Sequence, residues 1–168
     1  MSTTIHRISL NDGTTIPWLG FGTGGALIKT EVASVLHTAL ACGVAHFDSA
    51  QLYDNEASLG AALAAAGTPR DAVYVTTKLA KLPRGRSVRD TLVASLARLR
   101  LDHVDLFLIH APIFHKGRLA AVWKEFEAVQ REGLARSIGV SNFTVADFEE
   151  LLDGATVVPA INEVCASP

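Results

Sequence analysis

The sequence is poor in cysteine and in net charge, and each shortage excludes a class of protein. Two cysteines, Cys42 and Cys165, in 168 residues are too few for a disulfide framework and do not have the spacing of a zinc site. We therefore expect a reducing compartment and no metal, with Cys42 a small buried hydrophobe. A net charge of -2 gives no broad basic face, so neither nucleic acid nor an anionic membrane is an expected partner.

Long hydrophobic runs are also missing. No segment approaches the roughly 18 apolar residues of a membrane helix, and residues 1–13 have no apolar stretch typical of a signal peptide. The expected location is therefore the cytoplasm, and small molecules are the expected partners. With 49% hydrophobic and 19% charged residues the chain has a globular composition, and at roughly 150 residues per domain its length predicts a single domain, 1–168.

Short apolar runs alternate with helical patterns along most of the chain. Continuous apolar strands of this kind suit a parallel sheet that is covered on both faces. The predicted strands are Trp18–Gly22, Ala45–Asp48, Val73–Thr77, Val104–Ile109, Ser137–Val140 and Val157–Asn162. Thr30, Ser87 and Thr144 stand before helical patterns and are predicted N-caps. The pattern predicts an α/β fold.

Two further segments bear on the architecture. The turn signal Asn11-Asp12-Gly13 predicts a β-hairpin between Ile8–Leu10 and Thr14–Ile16. Alternating strands and helices allow either a closed (β/α)8 barrel or an open doubly wound sheet. The glycine pattern of residues 20–25 would favour the second, as in a dinucleotide-binding dehydrogenase. Its context is wrong, because the next helix is predicted to begin near Thr30, several residues too late.

Polar side chains stand where the predicted strands end. Asp48 ends the second strand and Tyr53 follows it, Lys78 ends the third, His110 the fourth, and Ser141 with Asn142 the fifth. In a βα barrel the active site is built at this end of the strands. Each residue taken alone has a structural interpretation as a solvated, capping or packing side chain. Their joint placement favours a site.

The residue types at these positions suit proton transfer to an oxygen. A tyrosine hydroxyl, with a pKa near 10, is a poor acid at neutral pH unless a cation favours its phenolate. Lys78 is the candidate cation, Asp48 would hold it by pairing, and His110 could hydrogen-bond a carbonyl oxygen. Such a group protonates an oxygen on which negative charge develops, as carbonyl reduction by hydride requires.

Two long segments resemble signatures of the aldo-keto reductases. Residues 43–50, followed by Tyr53 and residues 56–60, are similar to the family's first signature, and residues 136–143 to its second. The resemblance runs from about residue 8 to residue 168. It implies a (β/α)8 TIM-type barrel that uses NADPH, less often NADH, to reduce aldehydes and ketones to alcohols.

The resemblance also implies roles for individual residues. Tyr53 would be the general acid, Lys78 and Asp48 would tune it, and His110 would orient the carbonyl. Thr23 and Asp48 would lie near the nicotinamide, and Ser141 with Asn142 would hydrogen-bond its carboxamide.

The chain departs from the family at several of these positions. Gly24 and Ala111 stand where pocket tryptophans are common, which implies a roomier or different carbonyl pocket. Glu163 replaces a glutamine that touches the carboxamide, and a carboxylate can accept but not donate a hydrogen bond. Only six strands are readable up to Pro168, so we expect a barrel truncated to about six parallel strands.

That truncation leaves an alternative to catalysis. A six-stranded remnant would expose two sheet edges with unpaired backbone groups. The chain would then act without catalysis, through self-association or by binding a partner along those edges. The enzyme interpretation and this one both stay open at the level of sequence.

Overall fold

Strands and helices alternate through most of the chain in the computed structural model, which describes residues 6–164 and leaves Cys165 outside them. The strands are β1 Arg7–Ser9, β2 Thr15–Pro17, β3 Phe21–Gly22, β4 His46–Asp48, β5 Tyr74–Leu79, β6 Val104–Ile109, β7 Ala135–Ser141 and β8 Asn162–Glu163. The helices are α1 Ala33–Ala41, α2 Glu56–Ala65, α3 Val88–Leu99, α4 Leu119–Arg131 and α5 Val145–Leu151. None of these helices is long and apolar enough to cross a membrane.

The six strands from β3 to β8 form one parallel sheet whose spatial order is the chain order. A doubly wound sheet reverses its strand order at a switch point, and this sheet does not. Successive helices also pack on one another, α1 on α2, α2 on α3, α3 on α4 and α4 on α5, and so form a single layer. The architecture is therefore an open sheet with six of the eight strands of a (β/α)8 barrel, called the half-barrel below, and the predicted fold class is confirmed.

The dinucleotide-fold interpretation of the glycine pattern is wrong. The strand in this region, β3, has only two residues and lies inside the pattern, and a three-residue 3-10 helix, Gly25–Leu27, begins at its last glycine. Helix α1 begins only at Ala33. No α-helix therefore begins within the pattern to receive a pyrophosphate.

The two faces of the sheet bury different clusters. On the outer face, β-strand side chains pack against the helices, where the Phe107 ring stacks on Phe126 with centroids 4.5 Å apart. On the inner face, Tyr74 and Leu106 pack against Ile16 of the predicted hairpin, which β1 and β2 form with Ile8 opposite Ile16. The hairpin thus covers the end of the sheet at which the strands begin, away from the site-bearing strand ends.

Two of the three predicted N-caps are confirmed. Ser87 and Thr144 each form a capping box with the residue three positions later. Thr30 is not a cap, because α1 begins at Ala33 and Val32 occupies the N-cap position. The backbone N–H of Val32 bonds to the Ser58 hydroxyl at 2.9 Å, so the neighbouring helix satisfies it.

Several predicted boundaries are corrected. Lys78 lies within β5 rather than at its end. The first predicted strand shortens to β3, and Trp18 is exposed. The last shortens to β8, because the backbone N–H of Val157 bonds to Glu127 and its carbonyl accepts from the Trp123 ring, so this apolar segment is held against α4. Cys42 is exposed, not buried, because it lies at the C-terminal end of α1.

Candidate active site

The polar residues predicted at the strand ends are brought to one end of the half-barrel. Asp48 is the last residue of β4, and Ser141 is the last of β7. His110 directly follows β6, and Glu163 is the last residue of β8, paired with Ser141. Parallel strands end on the same side of a sheet. This common direction gathers residues that are far apart in sequence.

Lys78 is the centre of the arrangement. Its ammonium forms a salt bridge with Asp48 and lies 3.2 Å from Oε1 of Glu163 and 3.4 Å from the carbonyl oxygen of Ser49. The Lys78 side chain is only 2% exposed. A buried ammonium needs this full set of acceptors, because burying an unpaired charge is costly.

Tyr53 lies beside the ammonium at the end of a short 3-10 helix, Gln51–Tyr53. The Lys78 nitrogen is 5.5 Å from the centroid of the Tyr53 ring. The edge of one ring meets the face of the other between Tyr53 and His110, with centroids 5.5 Å apart and planes at 88°. The structure therefore brings together the four residues for which catalytic roles were predicted.

Gly24 contacts the ring of Tyr53 from the β3 side. A Cβ atom at position 24 would stand 2.9 Å from Cζ and 3.1 Å from the hydroxyl oxygen of Tyr53. These distances are shorter than ordinary van der Waals contact. Position 24 thus borders the tyrosine hydroxyl itself, and only a glycine leaves the ring in this place.

Burial and charge shift the ionisation of the salt bridge. Burial raises the pKa of Asp48; Lys78 opposes this rise and the Glu163 carboxylate adds to it. Burial alone would lower the pKa of Lys78, but the negative charges of Asp48 and Glu163 outweigh it and raise the pKa of Lys78 above its usual value. Lys78 therefore stays protonated across the neutral range.

The shifts on the other two residues preserve their neutral forms. Burial raises the pKa of Tyr53; Lys78 opposes that rise, and the carboxylates of Asp48 and Glu163 support it. From the sequence we expected Lys78 to determine the direction in which the pKa of Tyr53 shifts. In the structure, burial and the carboxylates of Asp48 and Glu163 outweigh the effect of Lys78. Burial and Lys78 lower the pKa of His110. At neutral pH the site thus presents a phenol and a neutral imidazole.

Asn55 is a residue that sequence reasoning missed. It is buried, and its amide donates to the carbonyl oxygens of Thr23 at 2.8 Å and Leu27 at 2.9 Å. Its own oxygen accepts from the hydroxyls of Thr23 and Ser49, each at 3.2 Å. Asn55 thereby ties the loop after β3 to the loop after β4. Its place at the N-cap position of α2 was the available signal.

Thr23 is fully buried. Its backbone N–H donates to the carbonyl of Asp48 at 2.8 Å, and its hydroxyl contacts that carbonyl and Asn55. In this arrangement Thr23 holds the end of β4 in place. Direct contact of Thr23 with a cofactor stays a prediction.

The remaining predicted residues border the site near His110. Asn142 has a positive φ of 60° and its side-chain amide donates to the Ser141 hydroxyl at 2.9 Å. The same amide is 3.4 Å from the carbonyl of His110, which joins the ends of β6 and β7. Ala111 is partly buried and precedes the short 3-10 helix Pro112–Phe114.

A cavity of about 290 Å³ opens between the two edge strands, β3 and β8. Asp48 and Glu163 line its polar end, and Ile16, Trp18 and Ile161 are among the apolar residues of the rest. A larger cavity of about 730 Å³ lies between α4 and α5 and contains none of the predicted site residues. The smaller cavity is the one that reaches the salt bridge.

Comparison with known proteins gives concordant matches. The sequence profile of the aldo/keto reductase family matches residues 18–168. A protein named aldo-keto reductase from Mycobacterium sp. (strain MCS) is 42% identical over 165 residues, 98% of this chain and 58% of that protein. A protein named methylglyoxal reductase from Salmonella typhimurium is 39% identical over 96% of this chain and 58% of its own length. The chain spans 58% of the length of both relatives.

Solved structures give the same picture. The crystal structure of an aldo/keto reductase from Brucella melitensis matches with a TM-score of 0.85 and 38% identity, over 96% of this chain and 63% of that one. An aldo-keto reductase from Bombyx mori, solved in complex with NADP, matches with a TM-score of 0.83 and 33% identity, over 97% of this chain and 59% of that one.

Proposed function

The chain belongs to the aldo/keto reductase family, and from this membership we propose that it carries the proton-donating half of an enzyme that reduces an aldehyde or ketone to an alcohol. One observation carries the proposal. The buried Lys78 ammonium, paired with Asp48, lies 5.5 Å from the Tyr53 ring, and that ring meets His110 edge to face. A phenol beside a fixed cation and a neutral imidazole suits protonation of a carbonyl oxygen.

Each of the four residues has a distinct part in the proposed reaction. The Tyr53 hydroxyl donates its proton to the carbonyl oxygen as negative charge develops there. The neutral His110 ring donates a second hydrogen bond to that oxygen and fixes the carbonyl's orientation. Lys78, held by Asp48, offsets the negative charge that proton transfer leaves on Tyr53. A reduced nicotinamide supplies the hydride when bound.

NADPH is the proposed hydride donor, with NADH as an alternative. The Bombyx mori relative solved with NADP supports this choice. The side chains present fit the amide end of a nicotinamide, because the Ser141 hydroxyl accepts a hydrogen bond from Asn142 and keeps its own proton to donate. Glu163 could accept from the amide nitrogen, but its carboxylate is also engaged with Lys78. We place the carboxamide against Ser141 and Asn142.

A small carbonyl compound is the proposed substrate. Ala111 directly follows His110 and carries only a methyl group, so it adds little bulk there, whereas Gly24 packs directly against the Tyr53 ring and leaves no room for a side chain. The Salmonella typhimurium relative is named a methylglyoxal reductase, so methylglyoxal is the first substrate to test. The cytoplasmic location expected from the sequence stays part of this proposal.

The test is cofactor binding followed by turnover with the purified chain. NADPH fluorescence titration should give saturable binding, and absorbance at 340 nm should fall when methylglyoxal is added to the complex. A Lys78→Met variant, which removes the cation but keeps an unbranched side chain, should lose turnover. If the chain does not bind NADPH at high micromolar concentrations, the proposal that it acts as a reductase by itself is overturned.

A second candidate function rests on the open sheet. Within residues 6–164, β3 and β8 each pair with a strand on one side only, and the cavity between them has apolar walls. Unpaired strand edges are templates for association with another chain. On this alternative the chain binds a further copy or a partner without catalysis. Light scattering that shows a compact monomer at high concentration would contradict self-association.

A further inference from the structure

Lys78 is shared by two carboxylates, of which sequence reasoning assigned only one to it. Asp48 reaches the ammonium from β4, and Glu163 reaches it from β8 at 3.2 Å. The Glu163 side chain is 38% exposed and the Asp48 side chain 15%. Contact of Glu163 with a nicotinamide carboxamide stays a prediction, and the structure adds a contact of its carboxylate with Lys78.

The charges around the lysine therefore do not cancel. The titratable groups around the Lys78 ammonium are Asp48, Tyr53 and Glu163, with His110 against the Tyr53 ring and with His46, on the same strand as Asp48, within range of the Lys78 and Glu163 charges. His110 is neutral at neutral pH because its pKa is lowered by burial. Burial raises the pKa of Asp48, so Asp48 alone offsets Lys78 incompletely, and the Glu163 carboxylate at 3.2 Å brings further negative charge to the ammonium beside Tyr53.

We propose that Glu163 is a positioning residue that shares the Lys78 ammonium with Asp48 and so keeps the proton on Tyr53, which favours carbonyl reduction over alcohol oxidation. The proposal rests on the reductase function and deepens it. In reduction, a hydride from the reduced nicotinamide forms the new C–H bond, and the carbonyl oxygen takes the Tyr53 proton. In oxidation, the Tyr53 phenolate takes the alcohol proton while the hydride returns to the oxidised nicotinamide. Reduction thus begins from the phenol and oxidation from the phenolate.

The physical reason is that the charges of Glu163 and Lys78 have opposite effects on the ionisation of the Tyr53 hydroxyl. A cation near a phenol favours the phenolate, and an anion disfavours it. Glu163 is partly exposed, so salt screens its effect, and the effect is largest at low ionic strength, where the Debye length is about 30 Å at 0.01 M. A glutamine at position 163 would keep the shape and remove the charge.

The experiment measures the ionisation of Tyr53 directly, without cofactor or substrate. The sequence has two tyrosines, and the buried hydroxyl of Tyr74 has no hydrogen-bond partner among residues 6–164, so Tyr74→Phe removes no hydrogen bond that the structure describes and leaves Tyr53 as the only phenol. Phenolate absorbance at 295 nm is then followed against pH in 10 mM salt. Circular dichroism at each pH records whether the chain remains folded.

Glu163→Gln should move the midpoint of Tyr53 ionisation to lower pH, and the difference should shrink as salt is added. In Glu163→Asp, which keeps the charge, the midpoint of Tyr53 ionisation should be close to that of the parent. Glu149→Gln is the charge-matched control, because Glu149 is exposed on α5 and contacts none of the cluster; it should leave the midpoint unchanged. An unchanged midpoint in Glu163→Gln, or an equal shift in Glu149→Gln, overturns the proposal.

This result is independent of the reductase function. A shifted midpoint in a chain that neither binds NADPH nor turns over substrate would support the electrostatic role of Glu163 and contradict the proposed activity. In a chain that is active, Glu163→Gln should lower the ratio of the reductive kcat to the oxidative kcat, each measured at saturating substrate and cofactor at one alkaline pH, while the reaction equilibrium itself is unchanged. An unchanged ratio would contradict the claim about direction.

Discussion

Replacement of Gly24 by alanine tests whether the position of the Tyr53 ring matters to the chemistry. The new Cβ would stand 2.9 Å from Tyr53 Cζ, whereas ordinary carbon contacts are about 3.5 Å or more. The ring must therefore move by roughly 0.6 Å or the loop after β3 must give way. Displacements of about 1 Å at a reacting group can cost 100-fold in rate.

We expect Gly24→Ala to lower the rate of methylglyoxal reduction about 10- to 100-fold, or about 1.4 to 2.7 kcal/mol of activation free energy. Overpacking should also lower the free energy of unfolding by about 1–3 kcal/mol. The matched control is Gly22→Ala, because a Cβ at position 22 meets nothing within 4 Å. Rates at 340 nm and urea unfolding check both effects. If Gly24→Ala is as active as Gly22→Ala, the close contact does not position the hydroxyl.

Three further predictions concern the supports of the site. Asn55→Ala should lower the free energy of unfolding by about 1–3 kcal/mol in urea titrations, because it removes the donor to the buried carbonyl of Thr23 and the link between two loops, while the Leu27 carbonyl keeps its bonds from Thr30. Thr144→Ala should cost about 1 kcal/mol through its capping box, while reduction rates stay unchanged. Burial lowers the pKa of His46 from 6.5 to about 4. As the pH falls below 6.5, the unfolded chain therefore protonates His46 before the folded chain does, and the free energy of unfolding decreases until about pH 4. Over that pH range the free energy of unfolding of His46→Gln should therefore decrease by about 3 kcal/mol less than that of the parent.

The alternation of strands and helices was predictable because central strands such as β6 are short apolar runs covered on both faces. The predicted strand Val104–Ile109 matches β6 residue for residue. The final strand was not predictable in the same way. The apolar run from Val157 has its backbone groups taken by Glu127 and Trp123 of α4, which only the tertiary structure reveals. The predicted cap of α1 at Thr30 failed for a similar reason, because the N-cap residue is Val32, and Ser58 on a neighbouring helix accepts its backbone N–H.

The candidate site, like the fold, was predictable from the sequence only in part. Asp48, Lys78 and His110 could be located from sequence because polar residues at the ends of apolar strands are conspicuous. The contact of Glu163 with Lys78 was out of reach, because it depends on how β8 lies against β7 and on the inward direction of the β5 side chains. The closeness of Gly24 to Tyr53 likewise depends on the path of two loops.

The central claim is that Tyr53 gives its proton to the substrate, and Tyr53→Phe tests it most directly because it removes one oxygen atom and keeps the ring. Backbone hydrogen bonds hold the loop that carries Tyr53, from the Lys29 N–H to the Tyr53 carbonyl at 2.8 Å and from the Tyr53 N–H to the Ala50 carbonyl at 3.0 Å, so the fold should be retained. In single-turnover reduction of methylglyoxal by NADPH, Tyr53→Phe should react at least 100-fold more slowly while its NADPH dissociation constant stays within about threefold of the parent, under 1 kcal/mol. Undiminished hydride transfer in Tyr53→Phe would contradict the account.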